Sequence, residues 1–430
     1  MLQSLPWYKR GHMKKGFYTI MAAQFFSSLA DNALLISAIA LLIELTAPEW
    51  MKPMLKLFFT VSYVVLAPFV GAFADSMPKG RVMFFTNAVK VLGCAMMFAT
   101  VHPLLAYAVV GLGAAAYSPA KYGILTELLP PSRLVAANGW IEGTTVGSII
   151  LGTVLGGVLI SPAVSDFILA FDFPGVHSPA TAAIVVIGGL YLLAALINLR
   201  IPDTGARYEK QHTNPLVLIS EFWQCNLTLW RDKLGQISLA VTTLFWGAGA
   251  VLQFIVLEWA EQQLGLPLNK AAILQGVVAV GIAAGAVIAA RFMTLRQSPR
   301  VLSLGIAMGV MVPCMTLVES LPASYPLLIL VGGLAGFFVV PMNALLQHRG
   351  HVLMSAGHSI AVQNFNENLN VLLMLGIYAL LLKFQLHINS IIVLFGAFVA
   401  ITMLLVRQRY VRNAKTHDLQ ALILDHKDGH

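Results

Sequence analysis

The stretch Gly71-Ala-Phe-Ala-Asp75-Ser-Met-Pro-Lys79-Gly80-Arg81 is a short charged connection between two long apolar runs. Residues 54–74 and 82–101 each contain a single charged side chain, Lys56 and Lys90 respectively. Each run has about the twenty residues needed to cross roughly 30 Å of hydrocarbon. A glycine, an aspartate four positions later and then a basic cluster therefore join two spans. Gly71 permits close helix approach. Asp75 can meet a helix N-terminus or a basic side chain. Gly71, Asp75 and Arg81 are expected to form a conformational latch that opens and closes. The simpler alternative is a tight turn with ordinary interfacial charges.

The same pattern continues in both directions. The 430 residues are 58% hydrophobic and only 11% charged, with a mean hydropathy of +0.79. Such a chain is an all-α polytopic membrane protein, not a soluble domain. Twelve apolar segments are predicted, at about 19–45, 54–74, 82–101, 103–124, 139–161, 181–200, 236–258, 271–292, 301–319, 324–346, 357–383 and 388–407. The first is too long for a cleavable signal and no small-residue cleavage site follows it. With the N-terminus inside, the cytoplasmic connections and tails hold 22 of the 27 Lys and Arg residues. That bias predicts both termini in the cytoplasm. The net charge of +8 is thus mostly topology, and basic residues scattered over short loops do not form a nucleic-acid surface. Cys94, Cys225 and Cys314 lie far apart with no CxxC spacing, so neither a metal site nor a disulfide framework is expected. No cofactor is called for.

The segments divide into a six-helix half over 1–200, a linker over 201–235, a second six-helix half over 236–408 and a tail over 409–430. Within the linker, Leu216, Ile219, Trp223, Leu227 and Trp230 recur at spacings of three and four. This is an amphipathic helix, lying on the membrane surface or packed on the protein's own cytoplasmic face. The halves are weakly self-similar. Gly111-Leu-Gly113 with Pro119 matches Gly333-Leu-Ala335 with Pro341 at the same spacing, which sets Lys121 against Asn343. Two six-helix halves with a cytoplasmic linker are the layout of transporters that bind their cargo between the halves.

Polar residues inside the apolar segments are the candidate site. A charge in hydrocarbon costs several kcal/mol and normally faces a cavity or a partner. Asp31 and Asn32 sit in segment one, Lys90 in segment three and Lys121 at the end of segment four. Three roles are open for Asp31: holding a cationic group, carrying a coupling proton, or pairing structurally with Lys90 or Lys121. Lys121 can hold a phosphate as a point charge or snorkel to the interface, with Glu127 and Glu142 as nearby partners. In segment eleven, Gln363, Glu367 and Asn370 share one helix face, with Asn364 and Asn368 beside them. The asparagines can serve helix–helix hydrogen bonds, and Glu367 is expected to face a cavity. Gln253 in segment seven is a further candidate. Both signs of charge point to a dipolar cargo.

Several runs resemble the bacterial lysophospholipid transporter family of the major facilitator superfamily. They are Gln24-Phe-Phe-Ser-Ser-Leu-Ala-Asp31-Asn32-Ala-Leu-Leu, Gly113-Ala-Ala-Ala-Tyr-Ser-Pro-Ala-Lys121-Tyr-Gly-Ile-Leu125, Phe337-Phe-Val-Val-Pro-Met-Asn343-Ala-Leu-Leu-Gln347 and Ala361-Val-Gln363-Asn364-Phe-Asn-Glu367-Asn. The loop around Asp75 resembles the superfamily's signature, whereas its counterpart over 285–300 keeps the arginines without the acid. The resemblance runs from about residue 16 to 407. It implies inward flipping of lysophospholipids, chiefly lysophosphatidylethanolamine, across the inner membrane of a Gram-negative bacterium. It also implies re-acylation by a cytoplasmic lysophospholipid acyltransferase. Gln253 stands where the family often has arginine, so no basic headgroup contact is carried over there. The expected contacts are Asp31 and Glu367 on the ammonium, with Lys121 and Lys90 on the phosphate.

The alternative is a major facilitator exporter of drugs or another small amphipathic solute. A membrane acyltransferase is disfavoured, because no histidine has an aspartate five positions later. A lipid sensor lacks an output domain. Coupling to protons stays open at this point.

Overall fold

A computed structural model describes residues 10–47, 51–208, 214–266 and 268–424. Its elements are sixteen α-helices and three short 3-10 turns. In chain order these are α1 Arg10–Glu44, α2 Met51–Val65, α3 Ala67–Asp75, α4 Lys79–Phe98, α5 Pro103–Leu128, α6 Leu134–Leu159, α7 Pro162–Leu169 and α8 Pro179–Asn198. Then come α9 Pro215–Arg231, α10 Gly235–Leu264, α11 Leu268–Phe292, α12 Leu302–Met311, α13 Leu321–Leu353, α14 Ala356–Lys383, α15 Ile388–Thr416 and α16 Leu419–Leu424.

Among the described residues, eleven helices are long and apolar enough to cross a membrane, or twelve if one bent pair is a single span. The bent pair is α2 and α3, which meet at 66°. Segment two was expected to be continuous. Pro68, in the first turn of α3, lacks an N–H and its ring crowds the Val64 carbonyl, which breaks the helix there. The ninth span also departs from regular helix. Its α12 is flanked by 3-10 turns over Leu295–Val301 and Val312–Leu317, each containing a proline.

Helix ends are built from local chemistry. Between α4 and α5, Thr100 takes φ +64°, and the Val101 N–H donates back to the Met96 carbonyl at 2.9 Å. The His102 ring then accepts from the Leu104 N–H at 3.3 Å, with Pro103 preset for a first helical turn. This lets two long helices reverse over a four-residue connection. At α8, Ser178 and Thr181 form a reciprocal capping box and Glu44 accepts from the Ala180 N–H at 3.0 Å. Those groups satisfy amides the helix itself leaves open.

The chain forms two compact units: 1–128, 147–223 and 356–361 make the first, and 129–146, 224–355 and 362–430 the second. In the first, α1 packs on α8, α4 on α5 and α8, and α2 on α5, around Leu34, Leu42, Met97, Tyr107, Ile184 and Tyr191. In the second, α11 packs on α13, α12 on α15, and α10 on α11, α13 and α15. The α11–α13 contact is nearly backbone to backbone. A Cβ on Gly285 would overlap the Gly333 carbonyl, and one on Gly336 the Ile282 carbonyl. Small residues of this kind let spans associate by van der Waals contact where no hydrophobic drive exists between helices.

The second unit also holds an ion pair that fixes its tail. Arg349, buried at the end of α13, donates to both Asp232 oxygens, at 3.2 and 2.7 Å. It also donates to the Leu422 carbonyl of α16 at 2.9 Å. Asp232 in turn caps α10 through the Leu234 and Gly235 amides. Burial pushes the Asp232 carboxyl up, but Arg349 and these amides outweigh it and hold it below its ordinary range.

Gly285→Ala and Gly336→Ala are expected to lower the melting temperature of the detergent-solubilised protein. Gly376→Ala, where a Cβ meets nothing within 4 Å, is expected to leave it unchanged or raise it, since alanine is the better helix former by about 1 kcal/mol. Thermal unfolding of the three variants side by side checks this.

Candidate functional site

The polar residues of α1 and α4 meet inside the first unit. Ser27 and Asp31 are four residues apart on α1, and Asn87 and Lys90 three apart on α4, so each pair shares a helix face. Lys90 Nζ donates to both Asp31 oxygens, at 2.8 and 2.9 Å, and to Ser27 Oγ at 3.0 Å. All three ammonium protons are thereby used. Ser27 Oγ donates onward to Asn87 Oδ1 at 2.8 Å. From α8, the Tyr191 hydroxyl donates to Asp31 Oδ1 at 2.7 Å. The rings of Tyr117 and Tyr191 stand 5.1 and 5.4 Å from Nζ, adding cation–π attraction. Gly113 makes room for the lysine stem, because a Cβ there would lie 2.8 Å from Lys90 Cγ.

The pair is asymmetric. The Lys90 side chain is 1% exposed, whereas that of Asp31 is 22% exposed. Lys90 is sealed behind its carboxylate, and Asp31 is the member a solute can reach. Removing one member of a buried pair costs about 3–5 kcal/mol because the other charge is stranded. Two further donors, Asn87 Nδ2 and the Tyr117 hydroxyl, are buried with no hydrogen-bond partner among the described residues.

The remaining candidates of this unit lie apart from the cluster's hydrogen bonds. Asn32 Nδ2 donates to the Ser28 carbonyl of its own helix at 2.8 Å. Lys121 is half-buried, its Nζ 4.2 Å from the Tyr122 ring centroid. Glu127 is engaged elsewhere, as described below; Glu142 belongs to the second unit, and its side chain lies outside the described ones.

In the second unit, Asn343 of α13 and Gln363 and Glu367 of α14 are all buried. Gln363 Nε2 donates to Asn343 Oδ1 at 3.1 Å and to Glu367 Oε1 at 2.8 Å. Asn364 is buried too, and its carbonyl accepts from Asn368. Asn370 donates to the Thr243 carbonyl of α10 at 2.8 Å, a helix–helix bond of the kind the asparagine stripe suggested. Gln253 is exposed and exchanges hydrogen bonds with Gln275 of α11. It does not join the Glu367 cluster through any of these bonds.

The signature loop makes a third polar centre, within the first unit. Asp75 is buried and accepts from the Gly357 N–H at 3.1 Å, at the N-terminus of α14. It also contacts His358 Nδ1 at 3.0 Å and pairs with Lys79. A carboxylate at a helix N-terminus is stabilised by the open amides and the helix dipole. Gly71 lets the chains approach, as a Cβ there would lie 3.0 Å from His358 Cα. Lys79, not Arg81, is the basic partner of Asp75, and Arg81 is exposed. Lys79 also reaches Glu127 at 3.5 Å. Glu127 accepts from the Tyr208 hydroxyl and from Thr204 Oγ1, each at 2.8 Å. Burial, then the charges of Glu127 and Asp75, push the Tyr208 phenol up, so it remains a donor. Tyr191, Tyr208, Thr204 and His358 were not readable as site residues, because aromatic and hydroxyl side chains carry no signal of a distant partner.

Among the described residues, no group of three or more His, Cys, Asp and Glu side chains could hold a metal ion.

Comparison with known proteins places this geometry in a family. The profile described as Major Facilitator Superfamily matches residues 20–369. The lysophospholipid transporter LplT of Yersinia enterocolitica is 43% identical over 372 residues, covering 86% of this chain and 88% of the relative. That of Yersinia pestis strain Pestoides F is 43% identical over the same coverage. Among solved structures, a bacterial homologue of the iron transporter ferroportin in its outward-facing state superimposes with TM-score 0.69 at 14% identity, covering 93% of this chain and 99% of that one. The transporter FucP in its outward conformation gives 0.70 at 15% identity, covering 91% and 98%. At those identities the structures speak for the fold alone. The spans, the loop at Asp75 and the matched profile agree: the chain belongs to the major facilitator superfamily.

Proposed function

We propose that this chain is a lysophospholipid transporter. It moves lysophosphatidylethanolamine and related lipids from the outer to the inner leaflet of a bacterial inner membrane by alternating access. Both termini are cytoplasmic in this reading, and a cytoplasmic acyltransferase consumes the delivered lipid. Support comes from the lysophospholipid transporters that share 43% identity over most of the chain.

The observation that carries the mechanism is the half-open Asp31–Lys90 pair. Asp31 offers a carboxylate already held in place by Lys90 and Tyr191, with a fifth of its side chain accessible. A primary ammonium fits that acceptor, and the buried carboxylate of Glu367 is a second acceptor of the same chemistry. Lys121 serves the phosphate. Lys90 has no proton left to donate while paired with Asp31, so its direct contact with phosphate requires that pair to open. Its role instead is to hold the Asp31 carboxylate in place from behind. The acyl chain stays on apolar walls or in the bilayer, where it costs nothing to leave in hydrocarbon. No protein proton is required in this cycle. The lipid gradient and downstream acylation drive it.

Spheroplasts expressing the protein are expected to take up labelled lysophosphatidylethanolamine at least tenfold faster than those expressing a folded Asp31→Ala variant. A protonophore is expected to leave the rate unchanged. Equal uptake by the variant would remove Asp31 from headgroup binding, and no uptake by either would favour a small-solute exporter. Asp75→Asn removes the charge that caps α14 and holds Lys79 and His358. It is expected to cut uptake several-fold while leaving equilibrium binding of the labelled lipid within about twofold, which filter binding on the purified protein would check.

A further inference from the structure

Helix α9, which lies between the eighth helix and the second set of spans, has three distinct faces. Phe222, Asn226 and Leu229 are buried against protein. Leu216, Ile219, Trp223, Leu227 and Trp230 are exposed by 76, 36, 47, 47 and 37%. At about 100° per residue these five fall within an arc of roughly 80°. Ser220, Gln224, Thr228 and Arg231 form an adjoining stripe that is also exposed, and entirely polar. The outer surface of the helix is thus split lengthwise into an apolar and a polar strip.

Its position along α14 is fixed by a second, independent contact. Trp230 Nε1 donates to Asn366 Oδ1 at 3.2 Å, and Asn366 Nδ2 donates to Asn226 Oδ1 at 2.9 Å. Asn366 lies ten residues into α14, about 15 Å from its first residue at 1.5 Å rise. α14 is itself a candidate span over Ala356–Leu382. The C-terminal half of α9 therefore runs beside a span, not beyond its end. Large apolar side chains exposed beside a span suit a lipid neighbour, and the two indoles suit the boundary between headgroups and acyl chains.

We propose that α9 is embedded in the interfacial layer of the linker-side leaflet. The Leu216–Trp230 strip faces acyl chains and the Ser220–Arg231 strip faces water. The partner is the bilayer surface itself, which holds the connecting segment at a fixed depth while the spans move. This inference rests on the membrane-spanning fold and is independent of which cargo is carried.

Nitroxide scanning of the full-length chain in nanodiscs of phosphatidylethanolamine and phosphatidylglycerol tests it. Native cysteines are replaced by serine, and one label is attached in Trp223→Cys, Leu227→Cys, Gln224→Cys or Thr228→Cys. Each variant is first shown to elute as the parent does. Collision with oxygen is expected to exceed collision with a water-soluble nickel chelate at 223 and 227, with a ratio several-fold above that at 224 and 228. Equal ratios on the two strips would overturn the proposal. So would protection of 223 and 227 from both reagents, which would mean a protein partner or a second copy covers the strip. Loss of lysophospholipid uptake would not alter these ratios, so failure of the functional reading is told apart from failure of this one.

Discussion

A lysine sealed inside a membrane-spanning helix is the constraint on which the first unit depends. Lys90 sits at 1% exposure in α4, where an unpaired ammonium is prohibitively costly. It can persist only with a carboxylate in reach, which fixes the rotation of α1 so that Asp31 faces it. Tyr191 must then come from α8 to the same carboxylate, and Gly113 must leave space for the lysine stem on α5. Four helices are keyed to one another by a single charge. The carboxylate that neutralises it retains unspent acceptor capacity on its accessible side, which is the feature that the proposed headgroup contact uses.

The signature loop follows a parallel logic. Asp75 satisfies amides at the N-terminus of α14 and holds Lys79, which in turn meets Glu127. Tyr208 and Thr204, from the segment after α8, complete the network through Glu127. Each contact is of a kind that can break and re-form, being made of hydrogen bonds and charge rather than packed volume. The tight glycine crossing of α11 on α13 is the opposite case: it leaves no room for adjustment and makes those two helices one piece.

Hydropathy made most of the fold legible, because a span must be long and apolar whatever its neighbours are. The break at Pro68 was visible as a residue but not as a consequence, since prolines such as Pro119 and Pro341 sit within unbroken helices here. The short helices α7 and α16 lie below the length at which periodicity speaks. In the site, the Asp31–Lys90 pair stood among the open readings because both residues fall mid-span. Its asymmetry, and the part played by Tyr191, depend on helix rotation and on residues 160 positions apart. Glu127 could be placed near Lys121 by sequence distance alone. The fold gives it instead to Lys79, Tyr208 and Thr204.

The central claim is that Asp31 reads the ammonium of the headgroup. Binding of lysophosphatidylethanolamine and of lysophosphatidic acid, which lacks the ammonium, to the purified protein and to Asp31→Asn tests it most directly. The account predicts at least a tenfold preference for the ammonium-bearing lipid in the parent and none in the variant. An unchanged preference in a folded Asp31→Asn protein would contradict it.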